Sequence, residues 1–547
     1  MKTTINNKEY DVEKGTKVID VIDNSERRYL GCRIDNNDKP LDVVIPENSV
    51  IELVDLHSHS GIQMYQASLR YVVLMACNKI LPKKRIIFNY SVSRSIFASI
   101  VGLGHPLNYE TFVQIRNEVD RIIKADLPIR FNRKSREEVI KFYESVGYND
   151  KIQLLKYEHR KELSLYECDG YLNFLYSPLV PSTGFLTKYA LKMYAPGLLI
   201  QYPRLECGCE IPPFEEEKSF RAALKEANRW NNTIKIDSIA QINNIIEQGK
   251  ALELINLCET RHNAQLTHLG DKIEDNIDNI KVICVAGPSS SGKTTFTNRL
   301  RIELTSRGIE PLMISMDNFY KGSDYPLDED GKPDYEHINS LNLDLFDEVI
   351  VKLVSGEETS LPIFNFANKE TTFTEPVKLK KNQPILIEGI HALNPEIMPS
   401  VPDENKYRVY IAPLGQMRYD THTPISISDL RLMRRMVRDH RSRATSVERT
   451  IETWDSVRKG EFRWIYPNQN NADFVYNSEL TYEIPVMRKY LIPLLNNISK
   501  ESHVYYVAKR MLKFLNFFED ISDKWIPSNS ILREFIGDSI FYTNDVK

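Results

Sequence analysis

The chain has 547 residues, 42% of them hydrophobic and 27% charged, with a formal net charge of −4. At about 150 residues per domain this is three or four domains of ordinary globular composition, and the charge balance excludes an overall pull toward nucleic acid or an anionic membrane. Seven cysteines without framework spacing point to a reducing compartment. No apolar signal region opens the chain, and no apolar run of about 18 residues occurs, so a cytoplasmic protein with no membrane segment is expected. Cys207 and Cys209 form a lone C-x-C, short of the ligand pairs a metal site needs.

Residues 1–60 alternate short apolar runs with turns: Thr3–Ile5, Val18–Ile22, Val43–Ile45 and Ser49–Val54. That spacing predicts a small β domain. It resembles a TGS domain, the ubiquitin-like β-grasp module at the front of threonyl-tRNA synthetases and some GTPases. His57 and His59 follow and read as exposed linker histidines.

Residues 61–215 predict an α+β domain. Gly61–Leu81 reads as a helix with Leu69, Val72, Val73 and Ala76 on its apolar face. Helices are also expected near Tyr109–Ala125 and Arg136–Val146, and Val180-Pro181-Ser182-Thr183-Gly184 comes later. This order resembles the editing domain of threonyl-tRNA synthetases. That family uses an H-x-x-x-H and a C-x-x-x-H pair; Ala67, Tyr71, Leu175 and Leu179 stand at the matching positions. These side chains cannot activate water or hold a metal as the family's do, so no editing chemistry is expected. Three roles stay open for the segment: binding tRNA or other RNA, binding another partner, or supporting the fold.

Residues 216–280 carry Phe220, Leu224, Ile239, Ile242, Ile245 and Ile246 at helical spacing and read as a helical connector, with His262 and His268 as surface residues. Val282–Ala286 then reads as a buried strand. It runs into Gly287-Pro288-Ser289-Ser290-Ser291-Gly292-Lys293-Thr294-Thr295, which fills the pattern G-x-x-x-x-G-K-[ST]. Such a turn aims consecutive backbone N–H groups at a phosphate and adds the positive end of the next helix. Lys293 reaches the β/γ-phosphates and Thr294 can hold Mg²⁺. The chain therefore binds a nucleoside triphosphate.

Pro311–Met316 predicts a second buried strand, ending in Asp317-Asn318-Phe319-Tyr320, and Pro384–Ile387 a third, ending in Glu388-Gly389. In parallel α/β sheets such carboxylates point into the ligand crevice, where they take a hydroxyl proton or hold Mg²⁺. After a fourth strand, Tyr407–Ile411, Arg431, Arg434, Arg435 and Arg438 lie at i, i+3, i+4 and i+7 of a predicted helix and share a face. An arginine-bearing lid of this kind stabilises a transferring phosphoryl group.

Gly287–Thr295, Met316–Tyr320, Ile387–Ile390 and Asp429–Asp439 together resemble the uridine/cytidine kinase branch of the phosphoribulokinase–uridine kinase family, over about 280–480. The order TGS-like, editing-like, kinase also resembles a bacterial group of nucleoside kinases. The resemblance implies ATP as donor, Asp317 as general base and a magnesium neighbour, Thr294 and Glu388 as further magnesium neighbours, and Lys293, Arg435 and Arg438 over the transferring group. The acceptor side departs from the family's N-F-D-H-P and P-x-Y-D-F-x-x-H runs: Asp334-Tyr335-Glu336-His337-Ile338 and Pro362 to Lys369 stand there, so Glu336, Phe364 and Lys369 replace aspartate, tyrosine and histidine. Tyr320, Glu336, His337, Phe364, Phe366, Lys369 and Arg431 are the candidate acceptor contacts. Changes of this kind reset discrimination, which leaves the base preference open.

The expected architecture is multidomain α+β and α/β: 1–60 β-grasp, 61–215 editing-like, 216–280 connector, 281–484 P-loop parallel-sheet kinase, and 485–547 a helical extension packed on the kinase or on a second copy in a homo-oligomer. The expected activity is ATP- and Mg²⁺-dependent phosphorylation of a small-molecule hydroxyl, such as a nucleoside 5′-hydroxyl. The reading from another class is an ATP-driven RNA-binding protein associated with tRNA or the ribosome.

Overall fold

The computed structural model describes residues 2–541 apart from 217, 329–330, 367 and 416. The chain opens on a hairpin of β1 (Lys2–Ile5) and β2 (Lys8–Asp11), followed by β3 (Tyr29–Ile34), β4 (Asn37–Lys39) and β5 (Val50–Asp55). They form one mixed sheet in the order β2-β1-β5-β3-β4, with β5 parallel to β1 and antiparallel to β3. Two expected strands are absent from it. Val18–Asp20 is a short helical turn and Val43–Ile45 is loop, yet Val18, Val43 and Ile45 are all buried against Ile5, Cys32 and Ile51. A short apolar run signals burial more securely than it signals a strand.

Ser58 then caps α1 (His59–Ile80), accepting from the Gly61 amide. Beyond it come β6 (Arg85–Val92), β7 (Ser95–Val101), α2 (Tyr109–Lys124), β8 (Arg130–Ser135), α3 (Arg136–Val146), α4 (Asn149–Leu155), β9 (Glu162–Cys168), β10 (Tyr171–Asn173), β11 (Ala190–Tyr194) and β12 (Gly197–Gln201). Two antiparallel sheets result, β11-β12-β7-β6 and β10-β9-β8. Ala67, Tyr71, Leu175 and Leu179 are buried in the core between them, and the Tyr71 hydroxyl donates to backbone carbonyls of Tyr166 and Tyr171.

Helices α5 (Lys218–Ile234), α6 (Ile239–Glu247) and α7 (Ala251–Glu274) precede β13 (Val282–Ala286). They are more than a connector: Ile239, Ile242, Leu254, Ile255 and Leu269 belong to the same core as β13 and its neighbours. His262 is correspondingly buried, not on the surface, with Nε2 against the Glu479 carbonyl at 3.0 Å. The rest of the chain provides α8 (Lys293–Ser306), β14 (Leu312–Ser315), α9 (Leu343–Val354), the hairpin β15 (Pro362–Asn365) and β16 (Glu370–Phe373), β17 (Ile385–Glu388), β18 (Lys406–Ala412), the short pair β19 (Arg418–Asp420) and β20 (Thr423–Pro424), α10 (Ile427–Ser442), α11 (Val447–Glu452), α12 (Trp454–Gly460) and β21 (Phe474–Asn477). Five strands make a wholly parallel sheet, β14-β17-β13-β18-β21. Its strands are near-continuous apolar runs because helices cover both faces.

The chain then adds α13 (Glu483–Asn496), α14 (Tyr505–Leu515) and α15 (Arg533–Ile536). Leu491, Leu495, Met511, Leu532 and Phe535 share the core of α8 and α10. The front half is fastened to this body by a buried ion pair, Lys151 to Asp420 at 2.7 Å, and by a backbone bond from Phe88 N to Thr421 O.

Candidate active site

Register brings the sequence-predicted groups to one sheet edge. Glu388, the last residue of β17, lies opposite Val285 of β13 on one side and Ser315 of β14 on the other. The loop that follows β13 and the Asp317 turn that follows β14 therefore flank it. At the loop, a Cβ on Gly287 would sit 2.0 Å from the Ile411 carbonyl oxygen, so only glycine fits. Gly292 has φ +93° and caps α8, directing the first amides of that helix at the loop's concavity. Ser290, Ser291 and Thr295 hold buried hydroxyls without a partner among the described residues. A phosphate would satisfy them, so the donor set suits a nucleotide.

Lys293 folds back on the loop, its Nζ 2.9 Å from Gly287 O and 3.2 Å from Pro288 O. Burial lowers its pKa, while Glu388 and Asp317 pull it back. Glu388 is pushed up to about 7 by burial and by Asp317, against Lys293. Asp317 keeps an exposed side chain at the crevice mouth. Desolvation by the surrounding walls raises its pKa, opposed by Lys293, Arg443 and Arg438. Asp317 and Glu388 thus lie within electrostatic reach of each other and of Lys293, and their carboxylate oxygens are hard donors of the kind that suits Mg²⁺.

The arginine face of α10 divides. Arg431 and Arg434 are buried. Arg431 pairs with Glu461 and donates from Nε to Ser289 O at 2.9 Å. Arg434 pairs with Glu483 at 2.6 Å and reaches Ser290 O at 3.3 Å. Both grip the loop from behind, and Arg431, expected at the acceptor, is committed there instead. A buried guanidinium needs a carboxylate, and each of these finds one. Arg435 donates to Ser289 Oγ at 2.8 Å, while Arg438 contacts Asp439 at 2.8 Å. Buried Asp439 also gathers Arg435 and Arg443, and Arg438 and Arg443 stand within electrostatic reach of Asp317.

On the acceptor side, Phe364 and Phe366 are 4.9 Å apart edge to face, and Tyr320 lies 5.4 Å from Phe366. Phe366 is exposed while Phe364 is buried. Glu336 is pushed up to about 7 by burial, with Arg435 and Lys293 opposing. His337 packs edge-on against Trp464 at 4.5 Å. Lys369 lies 5.8 Å above the Tyr325 ring, on the far side of the hairpin turn.

Two groups here carry no local sequence signal. The Glu461 carboxylate, on an irregular helical turn continuing α12, accepts from Ser289 N at 3.1 Å. The Glu534 carboxylate of α15 accepts from Thr295 N at 3.0 Å. They come from 172 and 239 residues away.

Residues 282–484 match the phosphoribulokinase/uridine kinase family. A uridine kinase of Bacillus pumilus (strain SAFR-032) is 31% identical over 196 residues, covering 36% of this chain and 84% of that protein. The chain belongs to this family. A uridine kinase of Borrelia duttonii (strain Ly) is 29% identical over 228 residues, 40% of this chain and 98% of the relative. The matched segment thus spans 84% and 98% of these two relatives, and the phosphate loop, Asp317 turn, Glu388 and α10 all fall inside the family match. The front half, α5 to α7 and the C-terminal helices lie outside it. Among the described residues no helix is long and apolar enough to cross a membrane.

Proposed function

We propose that the chain transfers the γ-phosphate of ATP to a hydroxyl of a small molecule, the 5′-hydroxyl of a nucleoside being the acceptor that fits best. The observation that carries this reading is Asp317: an exposed carboxylate just past the end of β14, within electrostatic reach of Lys293, Arg438, Arg443 and Glu388, the position a general base takes beside a phosphate loop. Asp317 accepts the acceptor's hydroxyl proton as the oxygen bonds to the γ-phosphorus and the bond to the β-γ bridging oxygen breaks, releasing ADP. Lys293, swung from Gly287 O, and Arg435 and Arg438 balance charge on the leaving phosphates and the transferring group. Thr294, Asp317 and Glu388 would hold Mg²⁺, which supplies Lewis-acid screening of phosphate charge. Tyr320, Phe364 and Phe366 offer ring faces and edges to a base, and Glu336 and His337 offer polar contacts to a sugar.

In the same reading 1–60 is a TGS-like β-grasp domain, supported by its sheet order, 61–215 an editing-like domain with ligand positions filled by apolar and tyrosine side chains, 216–280 a helical link, 281–484 the kinase, and 485–547 its extension, whose last six residues lie outside the described ones. RNA contact through the front half and a cytoplasmic setting belong to the proposal too.

The test is transfer from labelled ATP to a panel of nucleosides, sugar alcohols and bulk tRNA. One nucleoside should be phosphorylated by the wild type, with Asp317→Asn retaining ATP binding and losing about 10²- to 10⁴-fold in kcat. Label on tRNA alone, or near-normal turnover by Asp317→Asn, would overturn the reading.

A further inference from the structure

Behind the phosphate loop lies a cavity of about 680 Å³, walled by α1 and β6–β7 of the front half and by Pro288, Arg431 and Arg458 of the kinase body. That is the size of a site for a small organic ligand. Helix α1 presents His59, Gln63, Gln66 and Arg70 to it, at i, i+4, i+7 and i+11, one polar stripe on a helix whose Leu69–Cys77 stretch is buried. Most charges lining it are paired: Arg458 with Glu206 and Glu461, Arg510 with Asp429, His59 with Asp455.

Three guanidiniums are not satisfied in this way. Arg70 is only 5% exposed and has no hydrogen-bond or ion-pair partner among the described residues, its Nε being buried and bare. The carboxylate whose field reaches it, Asp420, is engaged by Lys151. Arg94 has Glu215 only at 3.9 Å and leaves Nε buried without a partner. Arg204 donates to the Tyr202 phenol, and its Nε is likewise bare. Arg94, Arg204 and Arg458 stand 5.3, 5.6 and 5.1 Å from the centre of one ring, Phe462. Four guanidiniums, Arg94, Arg204, Arg431 and Arg458, cluster there against Glu206, Glu461 and, beside Arg94, Glu215. Burial opposes ionisation of Glu206, yet Arg204 and Arg458 hold it at about 2. An unpaired buried guanidinium is costly, and an oxyanion that presents two oxygens to its fork of donors, as a phosphate does, is the partner it fits. Tyr176, Tyr202 and Tyr466 add flat walls.

We propose that this cavity is a second small-molecule site, separate from the phosphate loop, which takes an organic phosphate bearing a flat ring and binds its anionic group through Arg70, Arg94 and Arg204. Three of its walls, α1, β6–β7 and the 202–206 segment, lie outside the family match, so the site belongs to this longer chain.

The experiment uses the full chain with its phosphate loop filled by saturating Mg·AMP-PNP and its acceptor side by excess uridine. Radiolabelled AMP serves as the probe in equilibrium dialysis. One AMP per chain should be retained and be displaced by millimolar inorganic phosphate. Arg70→Gln and Arg94→Gln should each weaken its binding by about tenfold or more while leaving AMP-PNP affinity unchanged. Melting curves certify the variants as folded, and Arg94→Gln decides alone if Arg70→Gln does not fold. No retained AMP, or equal retention by the folded variants, overturns the proposal.

Discussion

Glu388 shows how one residue's surroundings set its chemistry. It closes an apolar strand between Val285 and Ser315, where burial and Asp317 raise its carboxyl from 4.5 to about 7; Glu336 and Glu479 are raised to about 7 as well. In the ligand-free protein these groups hold protons between about pH 4.5 and 7 that the unfolded chain has released. Stability therefore falls as pH rises through that window. Glu388→Gln should flatten this decline, read as a smaller difference between melting temperatures at pH 5 and pH 7.5. A decline as steep as that of the wild type would mean Glu388 is already ionised when folded. Asp317 and Glu388 were legible in sequence because a strand's end is a local signal and a parallel sheet aligns such ends. Glu461 and Glu534 were not, since nothing local to either residue marks a carboxylate that will reach a loop amide across the fold.

At the scale of one element, α10 shows what periodicity leaves out. The i, i+3, i+4, i+7 spacing groups Arg431, Arg434, Arg435 and Arg438 on one face, but which of them turn inward depends on Glu461 and Glu483, which lie 30 and 49 residues from Arg431 and Arg434. The two pairs then do different work. Arg434→Gln leaves Glu483 buried and should cost about 3–5 kcal/mol in urea unfolding. Arg435→Gln, at the half-buried edge, should cost under about 1 kcal/mol and lower kcat instead. Equal losses of stability would merge the two roles. The front sheet teaches the same lesson for strands. Val18 and Val43 are buried in turns, and such core plugs look like strands when only hydrophobicity is visible.

At the scale of the whole molecule, the kinase sheet does not own its core. Residues of α6, α7, α13, α14 and α15 complete it, and Lys151 of α4 fills a buried ion pair with Asp420 of β19. Lys151→Met should leave Asp420 buried and unpaired and lower stability by about 3–5 kcal/mol. That loss should appear in both halves together, as one shifted transition followed by intrinsic fluorescence and by far-ultraviolet circular dichroism. Two transitions, only one of them shifted, would show the halves melting independently. The sequence order of motifs revealed the kinase segment, but not that its hydrophobic interior extends into flanking helices, because each flanking helix reads alone as merely amphipathic.

The carboxylate of Glu534 on Thr295 N has a consequence for the end of the chain. Ile531, one turn earlier, sits where a side chain on Gly292 would be, so the segment packs against the loop at Gly292 as well as at the Thr295 amide. A phosphate that takes the Thr295 amide displaces the Glu534 carboxylate from it, and the expected consequence is a C-terminal segment whose exposure tracks how much nucleotide is bound. Mild trypsin treatment should cut near Arg533 faster with Mg·AMP-PNP than without it. In Glu534→Gln, whose tail is held more loosely, the cut should be fast in both conditions. A tail protected equally with and without nucleotide would mean that it stays seated while the loop is filled.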